Sequence, residues 1–466
     1  MSAPLLILLL GTLLALAGFV LRGRTATASG ISAVGAVLLG AVALGVVLGE
    51  PFQVMGFGVK LEAVWPILGR SLVIGPANRA AIGFVFISGA LPLAGSWLAD
   101  APRRLGSIGL LILVALAAAI MVQPSVFSPT LIAAAAILGS LVVVRPDGRA
   151  GRAPPRLLVA YVLAMMAILS AGWLIEVGGV TVSTETSART ASLLLGLGVA
   201  IIVITPPFHT WLTASANESH PMALVFLATA LQSSGLFVLM NSLASYSWMR
   251  ADPLIFAFLR GEGLLMIALG GAWCLAERRA PRIVAYALLV DFGVSLLAVS
   301  SASPGGYAIA LGMAGARAAG GVVWGIGFSN LSLASTAAQE RTSEPRPISR
   351  TAALTALVGA FSLAGLPLTA GFPGRWMTLA TLQGDTLATL AVVFGVVAAG
   401  YGSIRWARSL AAPASDSGTP LPRGRRTLLW IGTASVILLG VLPGWLYAWT
   451  LPALAGLGRI VPATLP

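Results

Sequence analysis

Asp291 and Arg317 lie mid-way along long apolar runs, Asp291 within Leu288-Leu289-Val290-Asp291-Phe292-Gly293 and Arg317 among Gly312, Ala314, Gly315, Ala318, Ala319 and Gly320. An ionised group at such depth is costly, so it must be paired, hydrated or, for the carboxylate, protonated. A buried Asp291–Arg317 ion pair is the expectation, serving either to fix packing or to couple charge. Arg375 ends a Gly- and Pro-rich segment. Arginine does not release its proton in proteins, so Arg375 either attracts anions and biases its neighbours or snorkels to the outer surface. His209 follows Pro206-Pro207 and can either switch charge near neutral pH or satisfy backbone carbonyls freed by the prolines. Thr229, Gln232, Ser233 and Ser234 are the polar residues of an otherwise apolar stretch. They either hydrate a path or act as hydrogen-bond glue between helices. Glu218 and His220 are placed at an aqueous mouth, in a surface or structural role, and Arg260 with Glu262 is read as an interfacial pair.

The elements that must position these groups follow from composition. Of 466 residues, 58% are apolar and 9% charged, with a mean hydropathy of +0.94, which excludes a soluble globular enzyme. A helix crosses the hydrocarbon core in about 20 apolar residues. The chain divides into about fourteen such stretches, near 3–22, 30–49, 78–98, 106–122, 127–144, 157–176, 190–208, 221–248, 253–275, 283–300, 305–330, 351–372, 384–407 and 427–450. The first lacks a basic leader and is read as a retained helix. Cys274 is the single cysteine and His209 and His220 the only histidines, so neither an internal disulfide nor a haem, iron–sulfur or other metal centre is expected, and no cofactor.

Lys60 is the only lysine; the other basic residues are arginines, and 19 of the 28 basic residues fall after odd-numbered stretches. Cytoplasmic loops retain Lys and Arg, so both termini are expected on the outer face of an inner (cytoplasmic) membrane. The net charge of +13 is then a topology signal beside lipid, with no nucleic-acid partner implied.

Two stretches are interrupted, at Thr205-Pro206-Pro207-Phe208-His209-Thr210-Trp211-Leu212 and at Ser362–Arg375, which contains Pro367. Broken helices at membrane depth are tolerated where the freed backbone is buried or hydrated, and paired breaks suggest a repeated transporter core. Each break falls on the fourth helix of a five-helix block, and an odd number of helices inverts successive blocks. The expected organisation is residues 1–98 as helices 1–3 with an external loop, 99–250 and 251–410 as two inverted five-helix repeats, and 411–466 as a cytoplasmic linker, a last helix and a short external tail.

Pro207-Phe208-His209-Thr210-Trp211-Leu212, followed by Pro221 and Phe226-Leu227-Ala228-Thr229-Ala230, resembles the signature of the antiporter-like subunits of respiratory complex I, membrane-bound hydrogenases and Mrp-type cation/proton antiporters. Arg282-Ile283-Val284-Ala285-Tyr286 and the Ser-Leu-Ala-Gly-Leu-Pro segment are similar as well, and the last segment and the length most resemble the N-type subunit of bacterial complex I. The resemblance covers about residues 75–408 and implies a polytopic all-α subunit that translocates protons beside other membrane-arm subunits, any redox chemistry lying in those partners. It also implies an axis of buried lysines and glutamates. Here the corresponding positions are Ala133, Ile202 and Gln232 or Ser233, and only Arg375 keeps a charge. Two functions therefore stand: a proton-translocating subunit of a complex I-like NADH-quinone oxidoreductase, or a structural module of the same fold that has lost conduction. Membership of a hydrogenase or Mrp-type assembly is a further alternative.

Overall fold

A computed structural model of the chain describes residues 2–23, 25–45, 48–49, 51–54, 57–76, 78–145, 150–177, 185–339, 349–410 and 422–455. Its first part comprises α1 (Ala3–Val20), α2 (Thr25–Gly45), the hairpins β1 (Pro51–Val54) with β2 (Phe57–Lys60) and β3 (Val64–Ile67) with β4 (Arg70–Val73), and α3 (Arg79–Leu98). Then follow α4 (Arg104–Met121), β5 (Val122–Gln123, paired with β4), α5 (Ser128–Val142), α6 (Ala153–Val177), α7 (Glu185–Ile202), α8 (Thr210–Glu218) and α9 (Pro221–Ser245). After the short α10 (Ser247–Ala251) come α11 (Pro253–Ala276), α12 (Ala280–Ser300), α13 (Pro304–Gln339), α14 (Arg350–Ala364), α15 (Phe372–Thr381) and α16 (Thr386–Leu410). The last are α17 (Arg423–Val441), α18 (Pro443–Thr450) and α19 (Pro452–Ala455).

Eleven helices among the described residues are long and apolar enough to cross a membrane. Three of the expected stretches are divided: α7 stops before the Pro206-Pro207 break, α14 stops at the second break, and α17 gives way to α18 at Pro443. The stretch expected at 30–49 instead begins at Thr25 and ends at Gly45, and the hairpins lie in the expected external loop. The expected linker, at 411–421, and the tail, at 456–466, lie outside the described residues.

Exposed leucines and valines cover the outer helices, for example Leu13, Leu16, Val37, Leu387, Leu390 and Val397. Such a surface is incompatible with water and matches acyl chains. The centre is α9, buried without interruption from Met222 to Met240 and packed against α3, α4 and α13. Between two helices in lipid there is little hydrophobic drive, so close packing of small residues carries the contact. Gly321 and Gly325 of α13 lie against Val225 and Met222 of α9. On another face of α13, Gly320 and Gly327 lie against Ser362 and Ala356 of α14, while Gly359 of α14 lies on the backbone of Trp324. This double seam sets where α14 breaks relative to α13.

Polar ties sit at the ends of the helices. Arg260 donates from Nε and Nη2 to the Asp385 carboxylate at 2.6 and 2.7 Å, joining α11 to the start of α16. The expected Arg260–Glu262 pair does not form, because residues two apart on a helix point to different sides. Arg425 makes the same two-pronged contact with Asp100 at 2.7 and 2.8 Å. Arg405 donates to the C-terminal carbonyls of α11 at Leu275, Cys274 and Glu277, which have no partner within the helix. Glu218 accepts the backbone N–H groups of Arg152 (2.6 Å) and Ala153 (3.0 Å), closing the start of α6.

His220 caps α9: its Nδ1 accepts the Met222 N–H at 3.2 Å. Burial lowers its pKa from 6.5 to about 4, against the opposing effects of the Ala99 carbonyl and the Asp100 carboxylate. The unfolded state then binds more protons than the native state between these values, so stability is full above pH 6.5 and falls as pH drops towards 4. The expected result is a melting temperature that declines across this window in the wild type and declines less in His220→Asn, which keeps an acceptor at the cap but does not titrate. Identical pH slopes would remove this assignment.

Candidate functional site

The second break is built by local chemistry. Helix α14 ends at Ala364, and Gly365 takes the left-handed conformation (φ 80°) that closes a helix C-terminus. Pro367 cannot donate to a continuing helix, and Thr369-Ala370-Gly371 leads into α15, which has Pro373 in its first turn. The interruption leaves carbonyls of α14 unpaired at membrane depth, where no bulk water can serve them.

Arg375 meets that demand. Its Nη1 donates to the Gly371 carbonyl at 2.8 Å and its Nη2 to the Leu363 carbonyl. The C-terminal end of a half-helix carries partial negative charge and attracts a cation, and here the cation is a covalently attached guanidinium. The planar fork of arginine reaches several acceptors at once, which a lysine ammonium does less well. The Arg375 side chain packs against Gly365, where a Cβ would collide with Arg375 Cδ and Nε. Arg375 is only 2% exposed, so it does not snorkel.

The same guanidinium reaches Asp291 of α12. Arg375 Nη2 lies 2.9 Å from Asp291 Oδ1, and Arg317 Nε of α13 donates to Asp291 Oδ2 at 2.6 Å. One carboxylate thus bridges two arginines, with Asp291 and Arg317 each 3% exposed. Arg317 is held from two further sides: its Nη2 donates to Ser295 Oγ at 3.1 Å, and its guanidinium sits 4.2 Å from the centre of the Phe292 ring. Ser295 is one turn from Asp291 on α12 and donates to the Asp291 carbonyl at 3.0 Å. Desolvating three charges costs several kcal/mol per ion, recovered only through such close contacts. The arrangement joins α12, α13 and the α14–α15 break, and its formal charge is +1.

The first break is neutral. Ile204 adopts φ 67°, Pro206–Pro207 is a cis peptide, and Thr205 returns to the Ala200 carbonyl through its N–H (3.0 Å) and its Oγ1 (2.6 Å). Tyr161 of α6 donates to the Ile202 carbonyl at 3.4 Å. These hydroxyls do the work that Arg375 does at the second break. His209 stands just before α8 and its buried Nδ1 has no hydrogen-bond partner, so it does not take up the freed carbonyls.

Gln232 lies at the buried centre of α9, and its Nε2 and the Thr229 hydroxyl likewise have no partner. Ser233 and Ser234 bond to carbonyls one turn back on their own helix, at Thr229 and Ala230, rather than between helices. Among the described residues no hydrogen bond or ion pair links His209 or Gln232 to the Asp291 cluster. The charged groups therefore gather at the second break, while the first is lined by neutral polar atoms. The participation of Arg375 in the Asp291 pair is not visible from spacing. A signal existed in the charges, since the deep carboxylate of Asp291 is accompanied by two deep arginines, Arg317 and Arg375.

The transmembrane family described as NADH:quinone oxidoreductase/Mrp antiporter matches residues 157–401, from α6 through α16 and including both breaks. The chain belongs to this family. Among sequence relatives, NADH-quinone oxidoreductase subunit 13 of Thermus thermophilus is 29% identical over 272 residues, covering 54% of this chain and 55% of the relative. NADH-quinone oxidoreductase subunit N of Thioalkalivibrio sulfidiphilus is 26% identical over 266 residues, 54% of this chain and 53% of the relative. The match thus spans about half the length of these curated relatives.

Similarity of fold extends further. A chain of an archaeal membrane-bound sulfane sulfur reductase superposes with a TM-score of 0.79 at 15% identity, over 99% of this chain and 98% of that one. A chain of the Mrp complex of Dietzia sp. superposes at 0.76 with 16% identity, over 98% of this chain and 52% of that one. A chain of respiratory complex I from Thermus thermophilus gives 0.69 with 22% identity, over 98% and 99%. At these identities the likeness is one of fold: a multi-pass, all-α membrane subunit of the antiporter-like type.

Proposed function

We propose that the chain is an antiporter-like membrane subunit of a complex I-like NADH-quinone oxidoreductase and takes part in proton translocation coupled to electron transport. Its partners are other membrane-arm subunits, and it resides in the inner membrane with both termini on the outer side. Residues 99–250 and 251–410 are its two inverted repeats. The observation that carries the reading is the Arg317–Asp291–Arg375 cluster at a helix break, within a chain of this family. Asp291 is the one member able to exchange a proton, and the two guanidiniums set how readily it does so. His209 and Gln232, in the half that carries the first break, are the neutral candidates for a hydrated path.

A second reading, a structural module that has lost conduction, is favoured by one observation: no Asp, Glu, Lys or Arg lies within the central turns of α4, α5, α7 or α9. The test is proton pumping in the reconstituted assembly. Asp291→Asn and Arg375→Ala are expected to lower the protons moved per electron by at least half while electron transfer to quinone continues. Unchanged pumping in both variants overturns the transport reading in favour of the structural one.

A further inference from the structure

Two arginines and one aspartate leave the buried cluster with one positive charge in excess, and arginine does not shed it by deprotonation. Among the described residues no further carboxylate pairs with the cluster: Glu277 and Asp385 pair with Arg282 and Arg260, and Glu262 Oε2 makes no hydrogen bond. Several donors of the cluster and of the helices around it have no hydrogen-bond partner. Arg317 Nη1, Arg375 Nε, Ser362 Oγ, Trp324 Nε1 and Tyr447 OH are each buried without a hydrogen bond.

Arg317 Nη1, Ser362 Oγ and Arg375 Nε belong to α13, α14 and α15, the helices that meet at the second break. Ser362 lies against Gly320, one turn from Arg317 on α13, and Trp324 is one turn further along. Tyr447 packs its ring on Gly312, with its hydroxyl beside Gly374, the residue before Arg375. Every one of them can donate a hydrogen bond, and two belong to guanidiniums that are no more than 3% exposed in their side chains. A buried charge left unbalanced is costly, and buried donors without a partner favour a negatively charged acceptor.

We propose that the Arg317–Asp291–Arg375 cluster binds one small monovalent inorganic anion, held by the unpartnered donors of Arg317, Arg375 and Ser362. The anion neutralises the cluster, so its affinity depends on the cluster's charge. This inference is independent of the assembly in which the chain works and of whether it moves protons.

The test uses the full chain purified in lipid nanodiscs, with thermal unfolding followed at constant sodium concentration while gluconate is replaced by chloride, bromide or bicarbonate. The wild type is expected to gain a melting temperature that rises saturably with the small anion and not with gluconate. Preference for chloride and bromide identifies a halide site, and preference for bicarbonate an oxyanion site. Arg317→Gln brings the cluster to zero charge and is expected to weaken apparent anion affinity at least about tenfold. Asp291→Asn raises the charge to +2 and is expected to strengthen it by a similar factor. No difference between gluconate and the small anions in the wild type overturns the proposal. So does an anion effect that is the same in wild type and Asp291→Asn, which would mean an adventitious ion only.

Discussion

Asp291→Asn is expected to destabilise the folded chain by about 3–5 kcal/mol, the range for removing one partner from a buried ion pair. The size of the effect comes from what remains. Arg317 Nε and Arg375 Nη2 lose their shared carboxylate and stay buried as two like charges in one site. A neutral amide accepts one hydrogen bond but offsets neither charge. Removing one of the two guanidiniums as well should recover part of the loss, so Asp291→Asn with Arg317→Met is expected to be more stable than the sum of the two single changes by about 1–3 kcal/mol. Unfolding in detergent, monitored by tryptophan fluorescence, measures all three variants. A loss below about 1 kcal/mol for Asp291→Asn would mean that the carboxylate does not hold the arginines in place.

Gly359→Ala is expected to cost about 3 kcal/mol, a large effect for one methyl group. Where α14 crosses α13, the added Cβ would overlap the backbone nitrogen of Trp324 and lie 2.6 Å from its Cα. Main chain in a helix does not move aside as a flexible side chain does, so the two helices must separate. Separation is transmitted to the site, because Leu363 is one turn beyond Gly359 and its carbonyl accepts from Arg375. The variant is therefore expected to lose both stability and the function assigned to the cluster. Gly305, at the start of α13 with open space around its Cα, provides the control. Gly305→Ala is expected to fall within about 0.5 kcal/mol of the wild type. Equal melting temperatures for the two variants would refute the close-approach argument.

The stretches that became helices were legible because bilayer solvation leaves a local mark: about 20 apolar residues in succession, whatever lies elsewhere in the chain. Pro206-Pro207 and Gly365-Leu366-Pro367 also act locally, by withholding N–H donors and favouring a left-handed turn. For this reason both breaks, and with them the resemblance to antiporter-like subunits, were readable from the residues alone. The hairpins at β1–β4 were not, since short strands of a loop lack an extended pattern of their own. Arg260 illustrates the same limit for charges. Its neighbour in sequence, Glu262, was the natural partner, yet helix geometry turned it away and brought Asp385 from 125 residues along the chain.

By itself, the sequence determined that this is a polytopic membrane protein with two interrupted helices, few deep charges, and arginine where a lysine would be able to release a proton. The tertiary structure decided which of those charges meet. Hydropathy and proline act on each segment separately, whereas the rotation of α12, α13 and α15 about their axes depends on glycine seams between helices distant in sequence. That packing gathered Arg317 and Arg375 onto the single carboxylate of Asp291 and left the first break neutral. It turned three isolated buried charges into one cluster that keeps a positive charge and two guanidinium donors without a partner.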